Sequence, residues 1–211
     1  MNPVPSQSET GTRLELLSGE EIAEEIAERL VTFKADLIAI DPLRMMRKWL
    51  LHGVCFALTA AKYYDVKQAV ADALEIHSTA VFMVGSGKLG FSISPQKRYR
   101  PFGDESDFDM AIVSEALYQS LWLELFTYFE RTAIEDKGTQ KYHFRGWLRP
   151  DLFPEDASLQ RCNRLRESVQ HLNSTGVAGR YPIKVGVYYS WPFLEGYQLR
   201  SLESCKEQEG S

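Results

Sequence analysis

The chain has 211 residues, 44% of them hydrophobic and 25% charged, which excludes a disordered or low-complexity protein and leaves enough chain to bury a core. No apolar run approaches the ~20 residues of a membrane span, so no membrane partner is expected. A net charge of −5 argues against nucleic-acid binding over a broad surface, although it leaves room for a local basic patch.

Residues 1–12 are polar and proline-containing, and read as a disordered tail without the basic start and apolar core of a signal peptide. Leu14 to Ile40 reads as a helix opened by a capping box, Ser18 with Glu21 three residues on. Asp41-Pro42 starts a second helix, expected to run to about Tyr64 and to be buried because it is apolar nearly all round. Asp65 opens a third, to about Ile76. This helical extension, 13–77, feeds a strand at about Thr79–Val84.

Beyond that strand lies Gly85-Ser86-Gly87-Lys88, a turn of small residues. A long insert carries Lys97, Arg98 and Arg100 interleaved with Tyr99 and Phe102, a combination suited to stacking on bases or gripping phosphates. Ser106-Asp107-Phe108-Asp109 then opens a strand that continues as Met110-Ala111-Ile112-Val113. Alternate strand residues share a face, so Asp107 and Asp109 project together, and their repulsion is relieved by a divalent cation between them.

Ser114 caps a helix from Glu115 to Thr132, whose aromatic side (Tyr118, Trp122, Phe126, Phe129) reads as core. Residues 134–140 read as a charged turn, and Lys141–Leu148 as a strand with His143, Arg145 and Trp147 on one face. A break at Pro150–Pro154 precedes a helix from Glu155 to Leu172. Tyr181–Tyr189 alternates as a strand with Ile183, Val185 and Val187 on one face. A short helix from Pro192 to Cys205 and a polar tail, 207–211, end the chain. The pattern predicts an α/β (α+β) fold, a mixed sheet with helices packed on it.

An apolar strand, Gly85-Ser86, a spacer, then Asp107-Phe108-Asp109 opening the next strand resembles the polymerase-beta-like nucleotidyltransferase superfamily. The resemblance covers residues 78–114 by motif and the rest by layout, and implies a sheet of the nucleotidyltransferase type over 78–206. It implies that Asp107 and Asp109 are catalytic ligands of Mg²⁺ (or Mn²⁺), and that Gly85, Ser86, Gly87 and Lys88 receive the phosphates of ATP or another nucleoside triphosphate. The monophosphate would pass to a hydroxyl of RNA, protein or a small molecule, with Lys97, Arg98, Arg100 and His143 as possible substrate contacts. Small bacterial members of this type are often toxins or defence components.

Two departures stand out. The spacer is long, and the strand Tyr181-Pro182-Ile183-Lys184-Val185-Gly186 lacks the third acid of active members, with Lys184 or Gly186 where it would be useful. Asp151, Glu195 and Asp104 are the candidate replacements. Without one, the alternative is a degenerate module that senses a nucleotide or docks a partner. The glycine turn fails as a P-loop, since Val81 or Phe82 stands where the earlier glycine belongs and Leu89 follows the lysine. His52, His77, His143 and His171 lack metal spacing, and Cys55, Cys162 and Cys205 form neither a disulfide framework nor a zinc site, as expected of a reducing cytoplasm.

Overall fold

In a computed structural model, residues 13–134 and 136–209 describe a four-stranded mixed sheet packed between helices. The predicted tail 1–12 lies outside the described residues. After a 3₁₀ turn at Arg13–Leu16 comes α1, Gly19–Ala39, opened by the expected capping box. The Ser18 hydroxyl accepts from the Glu21 amide at 3.3 Å, and the Glu21 carboxylate accepts from the Ser18 amide at 2.7 Å. Ile26, Phe33 and Leu37 form its buried stripe.

The second predicted helix is broken. α2 (Pro42–Met46) passes into a π-helical turn, Arg47–His52, and the chain then runs without regular structure from Gly53 to Thr59, bending at Phe56–Leu58. Cys55, Phe56, Ala57 and Leu58 are all buried, because this segment lies against the turn after the first strand. The Phe56 and Ala57 amides donate to the carbonyls of Lys88 and Gly87 at 3.1 and 3.0 Å. An apolar run without a period fits a buried non-helical segment as well as a buried helix. Thr59, not Asp65, caps α3, Ala60–Ala73.

A 3₁₀ turn, Ser78–Ala80, leads into β1 (Val81–Val84), which ends in the short α4 (Gly85–Leu89). The insert returns the chain to β2 (Phe108–Val113), and α5 (Glu115–Thr132) follows under its predicted Ser114 cap. The predicted strand 141–148 is mostly helical. Asp136 accepts from the Gly138 and Thr139 amides at 2.9 and 3.3 Å and so starts α6, Lys137–Phe144. The chain reverses at Gly146 (φ +62°), leaving a two-residue strand β3, Trp147–Leu148.

After a 3₁₀ turn at Pro150–Leu152 comes α7 (Gln160–Ser174), then β4 (Ile183–Tyr188) and α8 (Trp191–Glu209). Residues 207–209, expected in a polar tail, continue α8.

Strand order is β1-β2-β4-β3, with β2 and β4 parallel and the outer pairs antiparallel. Val81, Met83, Phe108, Met110, Ile112, Ile183, Val185 and Val187 belong to one continuous core that also includes Phe33, Met45, Met46 and Leu50 of the N-terminal helices. α3, α5 and α7 pack on that side. On the opposite face Val84, Ala111 and Tyr188 meet Leu51 and Leu194, beneath the π-helical turn and α8. No helix among the described residues is long and apolar enough to cross a membrane.

Candidate active site

The sheet face under α8 carries the chemistry. Strand parity places Asp109, Ala111, Lys184, Gly186 and Tyr188 on this face, because their neighbours Phe108, Met110, Ile183, Val185 and Val187 fill the main core. Register sets Asp109 beside Val84 on one side and Lys184 on the other. These strands floor a cleft of about 400 Å³, walled by α8 and by the insert.

Asp107 and Asp109 both line the cleft, as the alternation requires. The Asp109 carboxyl is pushed up to about 6, first by burial and then by the charge of Asp107; Lys184, Arg149 and Lys97 oppose the shift. Lys184 forms a close ion pair with Asp107, and that contact raises its own ammonium. The strand position beside Asp109, where a third acid would be useful, thus delivers a cation to the acidic pair.

Gly85 and Ser86 border the cleft. Gly85 adopts φ +69°, and a β-carbon there would stand 2.8 Å from Oδ2 of Asp109, so this position requires glycine. Gly85→Ala is expected to cost roughly 1–2 kcal/mol for the left-handed backbone alone. The carboxylate must also shift, and urea denaturation at neutral pH reads the combined loss.

Gly87 and Lys88, expected at the phosphates, turn away. A β-carbon on Gly87 would meet the Phe108 ring at 2.9 Å and the Met83 sulfur at 3.1 Å, so this glycine serves packing between β1 and β2. Lys88 is only 2% exposed; its ammonium donates to the Gly53 carbonyl and lies 5.5 Å from the Tyr63 ring centroid. In the one short turn of α4 it points to the 53–59 segment, opposite the cleft.

The insert divides in the same way. Lys97 and Arg100 line the cleft, Arg100 paired with Glu105 at 2.7 Å. Arg98 does not; it donates to the Ser204 hydroxyl at 2.9 Å and braces the insert against α8. Tyr99 and Phe102, expected as stacking platforms, belong to the core. The Tyr99 ring packs on Phe33 and Phe91, and Phe102 stacks on Phe108 at 5.7 Å.

His143 also lies away from the cleft, flat on Trp122 at 3.3 Å and hydrogen-bonded to the Tyr118 hydroxyl at 2.7 Å. The helix α6, which takes in residues 141–144 expected as strand, puts it there.

Of the candidate third acids, Asp151 alone borders the cleft, and Arg149 holds it by two bonds of 3.1 and 2.5 Å. Glu195 is paired with Arg47 at 2.7 Å and Asp104 with Arg180 at 2.7 Å, both outside the cleft lining. No cluster of three or more histidine, cysteine or acidic residues suited to a metal occurs among the described residues.

Four elements of the site were not anticipated. Arg149 stacks on Trp147 and Tyr142 at 5.6 and 5.4 Å. The Trp147 indole lies over Gly186, where a β-carbon would come within 2.3 Å of its nitrogen. Tyr197 and Gln198 complete the wall from α8, and Gln198 is 5% exposed. The available signal was Gly186, a glycine inside an alternating strand, which often marks a close approach.

The cleft lining carries four cations (Lys97, Arg100, Arg149, Lys184) and four carboxylates (Glu105, Asp107, Asp109, Asp151), so its formal charge is balanced. No protein-family model matches the chain, and neither a curated protein nor a solved structure matches it.

Proposed function

We propose that the chain is a nucleotidyltransferase that binds a nucleoside triphosphate in this cleft and moves its nucleoside monophosphate to a hydroxyl acceptor. The observation that carries the reading is the convergence of Asp107 and Asp109 with the Gly85-Ser86 turn and with Lys97, Arg100 and Arg149 around one cavity.

Charge favours a metal-assisted version. The balanced lining offers no net positive charge to a polyanionic triphosphate, so a cation must arrive with it. Asp107 and Asp109 are the residues to hold Mg²⁺ or Mn²⁺, and the raised Asp109 carboxyl fits that role as a charge not fully compensated by the protein. Such a metal supplies Lewis-acid stabilisation of phosphoryl oxygens.

The protein's own groups do the rest. Lys97 and Arg100 would hold phosphate oxygens together with Gly85 and Ser86, which line the same cleft. The acceptor oxygen attacks the α-phosphorus, the bond to the β-phosphate oxygen breaks, and pyrophosphate leaves. The acceptor's proton passes to solvent, since a metal held on Asp109 would lower that carboxyl and take away its basicity.

Lys184 favours a second reading, a nucleotide-binding module without transfer. Its ammonium already neutralises Asp107, and no acid takes its strand position. A transfer assay decides between the two. Protein is incubated with each α-³²P-labelled triphosphate, Mg²⁺ or Mn²⁺, and RNA, with Asp107→Ala/Asp109→Ala as control. Label that appears on RNA or protein and is lost in the double variant is the expected result. Calorimetric nucleotide binding without any label transfer would favour the module, and absence of both would remove the nucleotide site.

A further inference from the structure

The cation-and-aromatic combination expected in the insert is found elsewhere. A groove of about 670 Å³ runs between α6 and the first half of α8, and four of its lining residues are Lys137, Lys141, Arg145 and Arg200. Among the described residues, no carboxylate lines it. Between the cations stand two phenyl rings, Phe144, 88% exposed, and Phe193, 37% exposed.

Lys34, Arg47, Lys48, Arg100, Arg149 and Lys184 each have a carboxylate partner. None of the four in the groove makes an ion pair among the described residues. Lys141 and Arg200 are seated on aromatic rings instead, Tyr142 at 5.9 Å and Tyr197 at 5.8 Å. In a chain of net charge −5 this is a concentration of uncompensated positive charge.

Lys137, Lys141 and Phe144 share one stripe of α6 by their helical spacing, and Arg145 is its C-cap. The α6 end is locked to α8 where the Phe193 ring sits over Gly146, so closely that a β-carbon there would come within 2.2 Å of it.

We propose that this groove binds single-stranded nucleic acid, its phosphates on the four cations and a base stacked on Phe144. Charge complementarity selects a polyanion, and the exposed ring selects among polyanions. An acidic peptide satisfies the cations but offers no planar face to Phe144. A duplex keeps its bases stacked inside. A single strand supplies both the charge and a free base, and base–aromatic stacking is worth roughly 1–3 kcal/mol.

The groove adjoins the cleft across α8, where Tyr197 lines the cleft and Arg200, one turn later, lines the groove. The binding claim stands apart from the transferase reading; only a role for the bound strand as acceptor rests on it.

Fluorescence anisotropy of the full chain with labelled oligouridine and oligothymidine tests the proposal, with the corresponding duplexes and a polyglutamate peptide as competitors. Single strands are expected to bind, and Phe144→Ala to weaken binding roughly tenfold or more. Lys141→Ala/Arg145→Ala is expected to reduce the salt slope by about 0.7 per lost phosphate contact. Since the Phe144 ring is exposed, its removal leaves the melting temperature unchanged, which circular dichroism checks. Binding that survives in Asp107→Ala/Asp109→Ala supports the groove even if no label is ever transferred. The proposal is overturned if single strands do not bind, if duplex or polyglutamate binds as tightly, or if Phe144→Ala binds like wild type.

Discussion

Asp109→Asn is expected to raise the melting temperature at pH 7 and, on the proposed reading, to abolish nucleotidyl transfer. The Asp109 carboxyl is raised from 3.8 to about 6 by burial and by Asp107. A carboxyl raised by folding binds its proton more tightly in the folded chain than in the unfolded one. Its stabilising contribution is therefore complete below about pH 4 and is lost as pH rises through about 6. Each tenfold change in proton affinity is worth about 1.36 kcal/mol, so at pH 7 the ionised group costs the fold up to about 3 kcal/mol. Asparagine has nearly the same shape without the charge, so a gain of roughly 1–3 kcal/mol is expected. Thermal melts at pH 7 and pH 4 check the sign: the gain should appear at the first and vanish at the second. A loss at pH 7 would mean that Lys184 and Arg149 compensate the carboxylate more than burial penalises it.

Phe33→Ala is expected to cost about 3–5 kcal/mol, the range for a large aromatic removed from a filled core. Phe33 is fully buried, with its ring against Trp49 at 5.3 Å, Phe91 at 5.0 Å and Tyr99 at 6.5 Å. It therefore ties α1 to the π-helical turn and to the insert. Because Lys97 and Arg100 ride on that insert, nucleotide affinity should fall along with stability. Urea unfolding is the measurement, with a lower midpoint and an unchanged slope expected. A loss under about 1 kcal/mol would mean that α1 contributes little to the cooperative unit.

Local signals were the legible part of this fold. Ser18 with Glu21 and Ser114 before its helix mark helix starts by short-range hydrogen bonds, and the structure keeps both. The alternation of Ile183, Val185 and Val187 gives β4, and the same period-two logic puts Asp107 and Asp109 in one cleft. Sequence and structure part where tertiary burial decides. Cys55–Leu58 is apolar at every position and thus lacks a period. Tyr99 and Phe102 sit among cations in the sequence, yet their rings turn inward to fill space beside Phe33 and Phe108. Lys88 reads as a phosphate ligand only until the Gly53 carbonyl, brought near by the break in the second helix, takes its ammonium. Residues 137–144 carry an N-cap aspartate and a glycine that pull in opposite directions, and the cap prevails.

The parallel pairing of β2 with β4 fixes when the cleft can exist. Asp109 and Lys184 are neighbours in the sheet, but α5, α6, β3 and α7 lie between them along the chain. A contact of such long sequence separation closes a large loop and is made slowly. During synthesis the two carboxylates emerge well before the ammonium that neutralises one of them. Until β4 arrives, the inner edge of β2 also lacks its hydrogen-bonding partner, and an open strand edge is a template for wrong pairing. A ribosome stalled before Lys184 would therefore hold a chain with an unneutralised acidic pair and an unpaired strand. β4 thus brings two things at once, the ammonium for Asp107 and the strand partner for β2.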